Sequence, residues 1–303
     1  MKIEKREIIV SKKVVRITTT DERFYEIENG EYRPSLTFVN SFYFKKQLQQ
    51  WFKSKGADEI EQILNETSER GSIIHQILER ICLGEEMRCD QMFYSFRDEI
   101  HLATEEEIKA GYHLREIKGD EWKAVIDFVN WTKSLDSFEV IATEMTVFND
   151  NVAGTLDLIA RVNGEIWLAD FKTSNSASYY TSWDAQLAPL KTMAAASPDP
   201  RLKGIDWTKV KCVLIQAGYT RNKAGIKVNE RTDEQMQTGL DMHDIAYRTW
   251  KIEDASEPRQ IELPITAKLE DKSDKIAKAE IEETEKKEKK AEATAKKEFE
   301  STK

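Results

Sequence analysis

Two periodicities organise the chain. Apolar and polar residues alternate, as in half-buried strands, through REIIVSKKVVRIT and RFYEIENG near the N-terminus, FEVIATEMTVF from Phe138, and KVKCVLIQAGYT with its hairpin partner AGIKVNE around residues 209–230. Helical spacing governs other stretches. Phe38, Phe42, Leu48, Trp51 and Phe52 follow Pro34-Ser35 at intervals that predict a helix to about Gly56, with Lys45, Lys46, Lys53 and Lys55 among them. A second helix runs from Asp58 to about Leu83 on Ile74, Ile77, Leu78 and Ile81, and Gly71 predicts a break or pinch in it. Trp122, Val125, Ile126, Val129 and Leu135 mark a third. Trp183, Leu187, Leu190 and Met193 mark a fourth, in which Pro189 predicts a bend. The run DEQMQTGLDMHDIAYRTWKIED predicts the last. Residues 84–115 are acidic without a clear period and read as helix or partly ordered connection.

Between the third and fourth helices lies the segment around which the chemistry gathers, Gly154 to Lys172, GTLDLIARVNGEIWLADFK. Asn163-Gly164 between two strand-like runs is a strong hairpin signal, because both turn positions favour positive φ. Asp157 stands six residues before Asn163 and Asp170 six after Gly164, so a two-residue turn sets the aspartates nearly opposite each other. Lys172 shares the side of Asp170, and Phe171 points the other way. Two facing carboxylates repel unless a cation lies between them. A hard divalent ion, Mg²⁺ or Mn²⁺, with an adjacent lysine satisfies this set. An exposed hairpin with its charges in water is the plainer alternative. Glu144, inside the preceding strand, is either an edge residue or a third carboxylate. His75 lies one position off the apolar face of the second helix, and Glu79 follows on the same side four residues later; a lone helical histidine is more often structural than a ligand.

Composition narrows the setting. The 303 residues carry a formal charge of −9, and 40% of them are apolar, enough for a substantial core. Net acidity argues against non-specific nucleic-acid binding, yet residues 201–231 hold 8 basic and 2 acidic side chains, a local basic stripe. The segment 267–303 has 11 lysines against 11 acidic residues and reads as a solvated helix or tether without a core. Cys82, Cys89 and Cys212 are too few and too scattered for a zinc ribbon, a disulfide framework or a cubane iron–sulfur cluster. No apolar run is long enough to cross a membrane and no signal segment opens the chain, so a cytoplasmic setting is expected.

The order of these features resembles the RecB-like branch of the PD-(D/E)XK nucleases, in particular phage-type and mitochondrial-type DNA exonucleases. Its carriers are a helix with GSIIH, a strand with Glu144, GTLD, DFK and a helix with Gln186, together with YRPSLTFV, which is similar to the PSVTT-type opening of those enzymes; the likeness covers about residues 32–193. It implies an α/β fold with a restriction-endonuclease-like core, a mixed central β-sheet flanked by helices and an N-terminal helical segment. The domain expected on that basis spans 34–266, after a β segment over 1–33. The resemblance implies a Mg²⁺ or Mn²⁺ ligand set of His75, Glu144, Asp157, Asp170 and the Phe171 carbonyl, and a catalytic set of Asp157, Asp170, Lys172 and Gln186. It also implies DNA ends, single- or double-stranded, as substrate, a recombination or single-strand-binding protein as partner, and the cytoplasm as site of action, that of a host in the case of a phage-encoded protein. An endonuclease using the same centre and a non-catalytic DNA-binding protein of the same fold are the alternatives. The family's Gln-x-x-x-Tyr pattern is not met, since Leu190 stands four residues after Gln186, with Tyr179 and Tyr180 preceding the helix.

Overall fold

The computed structural model describes residues 4–10, 12–18, 22–27, 30–43, 51–96, 99–177 and 179–254. Asn29, residues 44–50 with Lys45, Lys46 and Leu48, and the 267–303 tail lie outside them. Lys2–Pro258 forms one compact unit. It opens with an antiparallel sheet of β1 (Glu4–Val10), β2 (Lys12–Thr18), β3 (Arg23–Glu26) and β4 (Tyr32–Pro34) in sequential order. Among the described residues, the stretch predicted as one helix after Pro34 holds α1 (Leu36–Val39), a 3₁₀ turn to Phe42 and helical Trp51–Lys53.

The long α2 (Ala57–Cys82) runs through Gly71 without a break. A glycine costs about 1 kcal/mol in a helix interior, which the burial of Ile73, Ile74, Ile77 and Leu78 outweighs. A Cβ at Gly71 would lie 3.4 Å from Thr173 Oγ1, an ordinary van der Waals contact. The acidic stretch that follows holds three short strands, β5 (Met92–Phe96), β6 (Glu99–Leu102) and β7 (Leu114–Glu116), with α3 (Glu105–Ala110) inserted. They pair as β6-β5-β7, where the sequence pointed to helix or loose connection.

After α4 (Gly119–Lys133) comes the central sheet: β8 (Phe138–Phe148), β9 (Ala153–Val162), β10 (Glu165–Lys172), β11 (Lys211–Ala217) and β12 (Ile226–Arg231), in the order β12-β11-β10-β9-β8. The β9–β10 turn is the predicted one, with Asn163 at φ 49° and Gly164 at φ 84°. β10 and β11 are parallel and the other pairs antiparallel, so the sheet is mixed. The parallel pair requires a crossover, and α5 (Thr181–Ala196) lies within it, continuous past Pro189. α6 (Asp233–Glu253) closes the unit.

Alternate side chains of β10 and β11 feed the two faces. Leu168 and Leu214 pack with Leu187 and Met193 of α5 and Trp250 of α6, whereas Ala169, Phe171, Val213 and Ile215 pack with Ile73 and Ile77 of α2 and Phe128 of α4. The outcome is helix, sheet, helix in three layers, as expected for this pattern. The N-terminal sheet docks where β9 begins, through Tyr25 Oη and Thr155 Oγ1 at 3.1 Å and a bridge between Ser35 and Ala153. Among the described residues no helix is long and apolar enough to cross a membrane.

Helices α5 and α6 touch backbone to side at Gly239, where a Cβ would lie 2.4 Å from the Asp184 carbonyl oxygen. Beside that contact, Arg231 Nε and Nη2 donate to the two Asp184 carboxylate oxygens at 2.6 and 2.7 Å in a buried fork. Because backbone cannot rotate aside, Gly239→Ala is expected to destabilise the protein by about 1–3 kcal/mol, against a gain of helix propensity of no more than about 1 kcal/mol. Urea denaturation measures this, and a variant as stable as the parent would show that the helices separate freely.

Candidate active site

The ladder joining β9 to β10 runs from Glu165↔Val162 to Ala169↔Leu158. Extended by one rung, that register sets Asp170 across from Asp157, the arrangement that equal spacing from the turn predicts. On the other edge of β9, the pairs Thr143↔Leu158 and Met145↔Leu156 flank a rung that sets Glu144 across from Asp157. Three carboxylates therefore stand in a row over three adjacent strands, with Asp157 in the middle. Glu144 has φ 45°, in the left-handed region that a non-glycine residue rarely adopts, and a register shift between Val140 and Ala142 precedes it. Strain of this kind persists where surrounding structure enforces it and gathers at functional sites.

α2 brings His75 to the row. Arg70 holds the helix in place, donating from Nε to Asp120 Oδ2 at 3.0 Å and from Nη1 to the Thr173 carbonyl, just past β10, at 2.9 Å. His75 Nδ1 lies 3.6 Å from Asp157 Oδ2, and its ring meets Phe171 edge to face at 5.9 Å. One ligand atom each from His75, Glu144 and Asp157 lie within 4.8 Å of one another, a spacing that one cation could bridge. Asp157 is oriented by the Phe171 amide, which donates to its Oδ2 at 2.6 Å.

Asp170 stands apart from that trio. Its Oδ2 lies 2.5 Å from Lys172 Nζ as an ion pair, yet this buried atom has no well-aligned hydrogen-bond donor. Lys172 donates in turn to Gln186 Oε1 of α5 at 3.0 Å. The structure thus joins His75, Glu144 and Asp157 in one cluster and Asp170, Lys172 and Gln186 in a chain beside it, with Phe171 between the two.

Protonation follows from burial. Asp157 and Asp170 are 9% and 2% exposed, and desolvation pushes each carboxyl up to about 6 against the pull of Lys172. Glu144 is raised well above the usual range, first by desolvation and then by Asp157. Desolvation and then Lys172 bring His75 down to about 4, so its imidazole is neutral at pH 7 and keeps a lone pair for a ligand. Three buried carboxylates and a neutral imidazole, with Lys172 paired to Asp170, are a donor set that fits a divalent cation.

Two neighbours escaped the sequence reading of the site. Glu79 is raised by desolvation and by Asp157 among others, and Glu144 feels it in return; its position four residues after His75 was the available signal. Arg16 on β2 acts on Glu144 from the N-terminal sheet, which no local spacing announces. The remaining histidines lie elsewhere: His101 stacks on Tyr94 at 5.1 Å, His113 packs on Phe96 at 4.1 Å, and His243 Nδ1 meets Asn40 Oδ1 at 2.9 Å. Tyr179 faces Lys227, whose Nζ is 4.0 Å from its ring.

Comparison with known families matches residues 41–220 to the model of the PD-(D/E)XK nuclease superfamily. Comparison with curated proteins finds no significant match.

Proposed function

Since this chain belongs to the PD-(D/E)XK nuclease superfamily, we propose that it is a Mg²⁺- or Mn²⁺-dependent deoxyribonuclease that works from DNA ends in recombination, repair or replication-end processing. The observation that carries the reading is the row Glu144, Asp157 and Asp170 across β8–β10, closed by His75 on one side and Lys172 on the other.

His75, Glu144 and Asp157 would hold the ion, with Asp170 and the Phe171 carbonyl as further oxygen donors. Bound there, a divalent ion supplies Lewis-acid stabilisation of phosphate oxygens and lowers the pKa of water. The protein's own part is to keep this donor set preorganised. The Phe171 amide fixes the rotamer of Asp157, the neutral His75 ring packs against Phe171, and Glu144 is pinned by its unusual backbone. Lys172, strung between Asp170 and Gln186, presents an ammonium to the phosphate under attack and orients the attacking water. Gln186 holds that lysine in register. The resemblance to DNA exonucleases of the RecB-like branch supplies the choice of DNA ends.

End-labelled single- and double-stranded DNA incubated with Mg²⁺, Mn²⁺ or EDTA tests the reading. Shortening of linear substrates with either ion, none with EDTA, and sparing of closed circular DNA are expected. Cutting of circles would turn the assignment to an endonuclease with the same centre, and metal-independent binding without turnover would turn it to a DNA-binding protein.

A further inference from the structure

A cavity of about 240 Å³ opens beside Lys172 and Gln186, walled by Trp183 and Ser182 of α5, Tyr43 and Met242. It is smaller than the roughly 300–1,000 Å³ that drug-sized ligands occupy. We propose that this cavity seats one nucleotide of the strand being cut, its base stacked on Trp183 and its phosphate directed to Lys172. The inference rests on the nuclease reading and adds to it the group that the site grips next to the scissile bond.

Three observations carry it. First, the lining combines the two chemistries that a nucleotide presents. Lys172 provides positive charge, while Trp183, Tyr43 and Met242 provide aromatic and polarizable surface. Second, polar capacity is left over at the junction. Gln186 commits its Oε1 to Lys172, and among the described residues its amide nitrogen has no protein partner, so it is a donor for a base edge or sugar oxygen. Third, the wall is built rigidly. Asn40 Nδ2 donates to the Ala185 carbonyl at 2.8 Å and Asn40 Oδ1 meets His243 Nδ1 at 2.9 Å, tying the 36–42 segment to both α5 and α6. Trp183 is braced edge to face by Tyr180 at 5.1 Å and Tyr179 at 6.1 Å. A stacking platform preset in this way loses little entropy when a base arrives.

The test titrates the full chain, in Mg²⁺ buffer, with nucleoside 3′- and 5′-monophosphates and with 2-deoxyribose 5-phosphate, following heat. These probes have no phosphodiester bond, so binding is read apart from cleavage. Base-bearing ligands are expected to bind about tenfold more tightly than the sugar phosphate, within the range that one base–aromatic stack supplies. Trp183→Ala removes that difference and leaves sugar-phosphate affinity in place, and Trp183→Phe restores part of it. Equal affinities in the parent chain, or a base preference that survives Trp183→Ala, would overturn the proposal. A chain that prefers nucleotides but fails to hydrolyse any DNA would keep the pocket and lose the nuclease assignment.

Discussion

Lys172→Ala and Asp170→Asn are each expected to lower metal-dependent DNA cleavage by about 10²–10³-fold or more, the scale on which a single preorganised charge or donor acts on a transition state. What separates a chemical role from a structural one is that the two substitutions move stability in opposite directions. Lys172 is the cation closest to the buried row, 2.5 Å from Asp170 Oδ2. Without it, carboxylates already raised by desolvation lose their main compensation, and the metal-free protein melts at lower temperature near pH 7.5. Asp170→Asn removes one of the mutually repelling charges while its amide oxygen can still accept from Lys172, so the metal-free variant melts at higher temperature than its parent. Loss of activity shared by a destabilised and a stabilised protein cannot come from misfolding. Cleavage at the parental rate by either purified variant would remove these residues from the mechanism. A centre that gains stability when its charge is removed is the usual mark of a site kept for function.

How far the sequence reached into this site depends on how local each determinant is. The Asn163-Gly164 turn fixes register over a few residues, and from it the opposition of Asp157 and Asp170 follows by counting. The helices α2, α4, α5 and α6 were legible because their apolar faces repeat over several turns. The strands β5–β7 were not, because each has three to five residues and sits in an acidic stretch whose composition outweighs its pattern. Gly71 misled for a related reason: the glycine signal is local, whereas the burial of Ile73, Ile74, Ile77 and Leu78 that carries the helix through it is tertiary. His75 and Glu144 were drawn in by resemblance, since nothing in their own surroundings required a ligand. Their convergence with Asp157, the left-handed backbone of Glu144 and the influence of Arg16 and Glu79 are products of tertiary packing. The same holds for the capture of Asp170 by Lys172 and of Lys172 by Gln186, which spacing alone does not announce.

Raising the pH of the metal-free protein from 4.5 to 7.5 is expected to cost stability at this site, and Asp157→Asn is expected to remove one carboxyl's share of that cost. An aspartate whose folded-state pKa is raised from 3.8 to about 6 binds more protons folded than unfolded between those values, so stability falls as pH rises through that window. The part of the window above pH 4.5 corresponds to roughly 2 kcal/mol at about 1.4 kcal/mol per pH unit. Asp170 adds a contribution of the same sign, and Glu144 extends it to higher pH. His75 opposes them. Lowered to about 4, it binds fewer protons folded than unfolded from there to its ordinary value, and so favours folding as pH rises; one imidazole offsets one carboxyl and leaves the others uncompensated. The rest of the molecule also titrates, which is why the informative quantity is the difference between parent and Asp157→Asn at each pH. The amide retains an oxygen to accept from the Phe171 N–H and carries no charge, so the variant's advantage in denaturant midpoint should grow from pH 4.5 to 7.5. Adding Mn²⁺ or Mg²⁺ at pH 7.5 should stabilise the parent and largely spare the variant, because a cation that binds only the folded, ionised cluster returns what the repelling carboxylates withdraw. A parent-to-variant difference that is flat with pH would mean that the carboxylates of β8–β10 are already neutralised by the protein itself, and the row would then have no need of an ion.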